Sequence, residues 1–199
     1  MLFLAGTLAS ALGADTIVYD NILESSAGSD GIEFAGPLYD SFTLNSAGQI
    51  DGLQLILSGD DSSSGEVDVG LYADNSTSPG ELLFNIGRFD DSALSSTPAT
   101  YDLAVTGSQP LASNTRYWIG LTGLTTAEWY YTSGDDGSEF FSNQTGVYSD
   151  SLGPYQMTIT AGISSAPEPR SGILRILSSV AVMLLFSRRG RLRSCRRNK

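Results

Sequence analysis

Apolar residues recur at every second position through the middle of the chain. Leu53, Leu55 and Leu57 form one such series; Val67, Val69 and Leu71, Tyr101, Leu103 and Val105, Tyr117, Ile119 and Leu121, and Tyr155, Met157 and Ile159 form others. A period of two is the signature of a strand with one buried face. Between these series lie turn-forming clusters such as Ser58-Gly59-Asp60-Asp61-Ser62, Asn75-Ser76-Thr77-Ser78-Pro79-Gly80 and Ser133-Gly134-Asp135-Asp136-Gly137. No stretch of helical period extends beyond a turn or two, and no repeat at a fixed period suggests a propeller or a β-helix. About eight to ten short strands with turns near every tenth residue predict an all-β fold, an antiparallel β-sandwich of jelly-roll type, over residues 15–161. Gly162-Ile163-Ser164-Ser165 reads as the start of a linker that runs through residue 170.

Composition adds exclusions. The 199 residues include no His, which removes Ser-His-Asp and Cys-His hydrolysis and His-ligated zinc. Cys195 is the sole thiol, so no intramolecular disulfide staples the domain. Its place in a basic tail reads as an incidental thiol on a reducing side, with juxtamembrane lipidation the alternative. The net charge of −11 is an average over two unlike regions. Residues 15–165 hold 21 acids against Arg88 and Arg116, a net of −19, whereas residues 166–199 carry nine bases and one acid, +8. An acidic body of that kind repels phosphate backbones, so nucleic acid is not an expected partner.

The two ends read as addresses. Residues 1–14, MLFLAGTLASALGA, are an apolar run ending in small residues before Asp15, as in the hydrophobic region and cleavage site of an export signal. Cleavage after Gly13 places Ala11 at the third position before the cut. No Lys or Arg precedes the run, from which a start codon further upstream is expected; a buried N-terminal element is the alternative. Near the other end, Pro167-Glu168-Pro169 fixes an extended segment that leaves the Glu168 backbone open to an enzyme. An apolar segment over 171–187 follows, and then Arg188, Arg189, Arg191 and Arg193 in the basic tail 188–199. That order is apolar membrane stop followed by positive cytoplasmic flank. Arg175 interrupts the apolar stretch, and Ile173 to Phe186 is only 14 residues, short of the roughly 20 that span a bilayer core. Snorkelling of Arg175 to the interface lets the full 171–187 segment span; a permanent tail anchor is the alternative reading.

The tripartite order from Ala166 to Lys199 resembles the PEP-CTERM sorting signal of Gram-negative bacteria, which implies recognition and processing by an exosortase, an inner-membrane precursor and delivery to the cell surface or the extracellular matrix. Over about residues 15–161, Tyr19-Asp20-Asn21, Gly36-Pro37-Leu38-Tyr39-Asp40-Ser41-Phe42, Leu71 to Gly80, Arg116-Tyr117-Trp118-Ile119-Gly120-Leu121 and Gly153-Pro154-Tyr155-Gln156-Met157 resemble the choice-of-anchor domains, type R. That resemblance implies an extracellular β domain joined to an interchangeable anchor; it implies no catalytic residue.

Three constellations in the body carry candidate chemistry. The pairs Asp60-Asp61, Asp90-Asp91 and Asp135-Asp136 lie in turn-like sequence, where both carboxylates ionise and neither serves as the buried acid of a glycosidase. Calcium is a better use of such clusters, from Asp60-Asp61 with Glu66 and Asp68 or from Asp135-Asp136 with Glu139, although neither stretch matches a known loop signature; solvated turns are the simplest account, and no cofactor is expected. The aromatics Tyr117, Trp118, Trp129, Tyr130, Tyr131, Phe140, Phe141 and Tyr148 crowd the last third. Alternation puts about half of them in the core, with Trp129 and Tyr131 on one face and Tyr130 on the other. The candidate saccharide contacts are Trp118, Trp129 and Tyr130, since flat rings stack on the apolar faces of sugars. The leading expectation is an exported, non-enzymatic surface or biofilm-matrix protein. A saccharide-binding module of the extracellular polysaccharide and a carboxylate-based glycan hydrolase are the alternatives.

Overall fold

The computed structural model describes residues 15–60, 64–76, 78–107, 109–134, 138–142, 146–148 and 153–163. The alternating series become strands because each can bury one face against a second sheet. Two antiparallel sheets result. The first orders β1 (Asp15–Asp20), β12 (Met157–Ile163), β4 (Gly48–Ser58), β9 (Glu128–Thr132) and β2 (Ser26–Gly31), with β7 (Ala99–Ala104) also on β4. The second orders β11 (Gly146–Tyr148), β10 (Phe140–Ser142), β3 (Leu38–Leu44), β8 (Thr115–Thr122), β5 (Glu66–Asp74) and β6 (Pro79–Asp90). A single helical turn, α1 (Ile32–Ala35), links β2 to β3.

The core lies between the sheets. Leu53, Leu55, Leu57, Met157 and Ile159 from the first meet Leu38, Phe42, Val67, Val69, Leu71, Ile119 and Leu121 from the second, all buried. Each such side chain contributes about 1.5–3 kcal/mol of transfer free energy. In β4 the inward set runs Gly48, Ile50, Leu53, Leu55, Leu57, so parity switches once. The switch is a bulge at Asp51: Thr160 pairs with Gly52 and Ala161 with Ile50. One extra residue lets both halves of a long strand face the core.

The described residues hold twelve strands, more than the pattern predicts. The additional ones are short or polar: β2 reads Ser-Ala-Gly-Ser-Asp-Gly and is held by backbone pairing to β9. The strand end also differs from the expected linker start at residue 162. Gly162 and Ile163 pair with Gln49 and Gly48, because β4 extends far enough to hold them. Residues 1–14 and 164–199, with the export segment, Pro167-Glu168-Pro169, the apolar segment, Cys195 and the arginines, lie outside the described residues. Among the described residues no helix is long and apolar enough to cross a membrane.

Candidate functional site

Period two on β8 sends Tyr117, Ile119 and Leu121 inward and Arg116, Trp118 and Gly120 to the outer face of the second sheet. Arg116 is the hub of that face. Its Nε donates to Asp74 Oδ1 at 2.8 Å, its Nη1 to the Glu139 carboxylate, and its Nη2 to the Ser76 carbonyl at 2.9 Å. The guanidinium carbon stands 5.2 Å from the centre of the Trp118 ring, within cation–π range. Trp118 Nε1 donates to the same Asp74 oxygen at 2.9 Å. Burial by itself would raise the Asp74 carboxyl, but the Trp118 and Arg116 hydrogen bonds, the Arg116 charge and a Ser76 backbone bond together hold it below the usual carboxylate value.

Glu139 is placed by β3. Its N–H donates to Ser41 Oγ at 2.7 Å, and its carbonyl accepts the Ser41 N–H at 2.9 Å. Beside it Ser138 Oγ donates to Asp40 Oδ1 at 3.0 Å. Asp40 is fully buried and occupies an inward position between Leu38 and Phe42. Across from it, in β1, Tyr19 Oη lies 3.4 Å from Ser138 Oγ and accepts from Asn21 Nδ2 at 3.0 Å. Asn21 is itself fixed, donating to the Tyr155 carbonyl at 3.0 Å and accepting the Met157 N–H at 2.8 Å. Where β10 stops pairing, these groups surround a cavity of about 330 Å³ lined by Tyr19, Ser41, Phe42, Thr43, Arg116, Ser138 and Glu139. The lining combines hydroxyl groups with a carboxylate and a guanidinium that neutralise each other.

A second concavity, of about 370 Å³, is lined by Glu33, Ser64, Gly65, Asp91, Leu124, Thr125 and Thr126. Asp91 is fully buried there and accepts from Thr125 Oγ1, from the Thr126 N–H at 3.0 Å and from Thr126 Oγ1 at 3.3 Å. Thr125 Oγ1 in turn accepts the Ala127 N–H at 2.9 Å. The expectation that Asp90-Asp91 is a solvated turn is thus corrected: Asp91 is the clamp that holds the 125–127 segment.

The candidate saccharide contacts do not meet. Trp118 is fully buried beneath Arg116. Trp129 is fully buried between the sheets, stacked on Tyr155 at 4.5 Å and 15°, with Nε1 donating to the Gln156 carbonyl at 3.1 Å. Tyr130 faces the opposite side of β9, half-buried, its hydroxyl accepting from Ser58 Oγ at 3.3 Å. Strand alternation on two separate sheets parts them, so they form no common sugar platform. The calcium grouping of Glu66 with Asp68 is also corrected, since both carboxylates hold Arg88, at 2.6 and 2.9 Å. Asp61, Asp135 and Asp136 lie outside the described residues; among those described, no three His, Cys, Asp or Glu side chains gather as a metal site.

Arg116, Asp74 and Ser138 were not singled out as site residues by sequence reasoning, and Glu139 was singled out only as a calcium ligand with Asp135-Asp136, whereas it holds Arg116. The available signal was the scarcity of bases: Arg88 and Arg116 stand alone in a body of 21 acids, and each is bound by two of them. The chain matches no known family model, and no curated protein matches it.

Proposed function

We propose that this is an exported, non-enzymatic cell-surface or extracellular-matrix protein. Its jelly-roll-like sandwich is the cargo, and its C-terminal segment is a PEP-CTERM-type signal processed by an exosortase. The observation that carries the reading is the order of the sequence within residues 166–199: Pro167-Glu168-Pro169, then an apolar segment over 171–187, then Arg188, Arg189, Arg191 and Arg193. The character of the domain supports it, since an antiparallel sandwich at −19 stays soluble after export without disulfides. The test is intact mass and location of the protein in its own Gram-negative host, wild type against Pro167→Ala/Glu168→Ala. Loss of the tail with surface delivery in the wild type alone is the expected result. An unchanged C-terminal mass in both would overturn the proposal in favour of a plain membrane anchor.

A second reading, a saccharide-binding module of the extracellular polysaccharide, is favoured by one observation: the hydroxyl-rich cavity whose Arg116 is paired with the Glu139 carboxylate.

A further inference from the structure

We infer that the cavity between β1 and β3, bounded by Arg116 and Glu139, binds a neutral saccharide through one or two pyranose rings; the inference rests on the saccharide-binding reading and gives it a site. Size comes first: about 330 Å³ lies at the lower end of the roughly 300–1,000 Å³ range of small-molecule sites. Charge narrows the class. Arg116 is contacted by both Asp74 and Glu139, so an anion meets no excess positive charge there and approaches a domain at −19. A cation would have to displace the guanidinium from those same carboxylates. A polyhydroxyl ligand needs neither.

Chemistry then selects it. The hydroxyls of Ser41 and Thr43, the Glu139 carboxylate and the Arg116 N–H groups present donors and acceptors side by side, as vicinal sugar hydroxyls require, and the mutually bonded Tyr19 and Ser138 close the wall. Among the described residues Arg116 uses three of its five N–H groups, on Asp74, Glu139 and the Ser76 carbonyl. The groups are also ordered before any ligand arrives. Arg116 is held by three hydrogen bonds and the Trp118 ring, Glu139 by backbone bonds to Ser41 and by its carboxylate on Arg116, and Tyr19 through Asn21. Binding therefore costs little side-chain entropy.

Trp118 gives the site its own reporter, because any ligand that bonds Arg116 perturbs the cation–π contact. The experiment uses the purified full chain in zwitterionic micelles. It combines saturation-transfer NMR against glucose, galactose, mannose, rhamnose, N-acetylglucosamine, dextran and glucuronate with titration of Trp118 fluorescence in a Trp129→Phe background. Transfer to at least one neutral sugar, with a Trp118 response, is expected. Thr43→Phe, which fills the cavity from an exposed lining position without adding a tryptophan, and Glu139→Gln should each weaken that binding about tenfold or more. Neutral-sugar binding left unchanged by both variants would overturn this site while leaving the saccharide-binding reading in place. Transfer to glucuronate alone would overturn the neutral class, and transfer to none of the probes would overturn the site and the reading together.

Discussion

Replacing Trp129 by Phe separates a structural role for this ring from a binding one. The indole is fully buried, stacked at 4.5 Å on Tyr155, and donates to the Gln156 carbonyl. That carbonyl also accepts the Ile56 N–H at 3.3 Å, so it keeps a partner, and the lost hydrogen bond costs about 1 kcal/mol, the low end for a buried acceptor. The smaller ring leaves space for roughly two carbons and reduces the overlap with Tyr155, which adds about 1–2 kcal/mol. A total near 2–3 kcal/mol is a large share of the roughly 5–15 kcal/mol by which domains are stable. With a urea slope of about 2 kcal/mol per molar, the unfolding midpoint falls by about 1–1.5 M. The assay is equilibrium urea unfolding followed by the fluorescence of Trp118, the one tryptophan left. A midpoint shift below about 0.3 M would mean that Trp129 is not packed between the sheets, since a buried indole cannot be trimmed so cheaply. Red-shifted native emission would show that Trp118 is solvated and refute its place beneath Arg116. Saccharide retention by the variant should match wild type, because the ring touches no part of the cavity beside Arg116.

Asp91→Ala removes the clamp on Thr125 and Thr126 and should cost about 2–4 kcal/mol, read as a lowered thermal midpoint; a change under about 0.5 kcal/mol would show that the 125–127 segment does not depend on it. The folded-state pKa of Asp74 is depressed below its ordinary 3.8, so its stabilisation is present above that value and is lost as pH falls through the lower folded value. Acid titration of Asp74→Asn should therefore show a shallower loss of stability below pH 3.8 than wild type; equal slopes would contradict the Trp118 and Arg116 bonds to that carboxylate. At the other extreme, burial followed by the neighbouring Tyr72 pushes Tyr39 up to about 12 from 10.0. The unfolded chain ionises first, so this contribution is whole below pH 10 and disappears as pH rises toward 12. With screening over the exposed part of the ring it amounts to about 1–2 kcal/mol, and Tyr39→Phe should unfold later in an alkaline titration than wild type.

Alternation alone located the strands that face a full core. Leu53, Leu55 and Leu57, Val67, Val69 and Leu71, and Tyr117, Ile119 and Leu121 all point inward as their spacing demands, because an apolar side chain on a two-faced ribbon has one place to go. The same logic could not find β2, whose Ser and Gly side chains carry no burial signal and whose register comes from β9, some hundred residues away. Nor could it join Arg116 to its partners. Asp74 lies 42 residues before it and Glu139 23 after, separations that only the pairing of β5, β8, β3 and β10 brings to contact.

One local sign of the cavity was nevertheless written in the sequence. In Leu38-Tyr39-Asp40-Ser41-Phe42-Thr43-Leu44 the apolar parity is broken by an acid, and the structure puts Asp40 inside at no exposed surface. A buried carboxylate must be met by donors or it unbalances the core, and Ser138 supplies one. That bond brings in the segment preceding β10, the Ser41–Glu139 bonds set its register, and Glu139 is thereby carried to Arg116. A polar residue at a core-parity position is thus the step that turns the end of this strand pairing into a walled cavity.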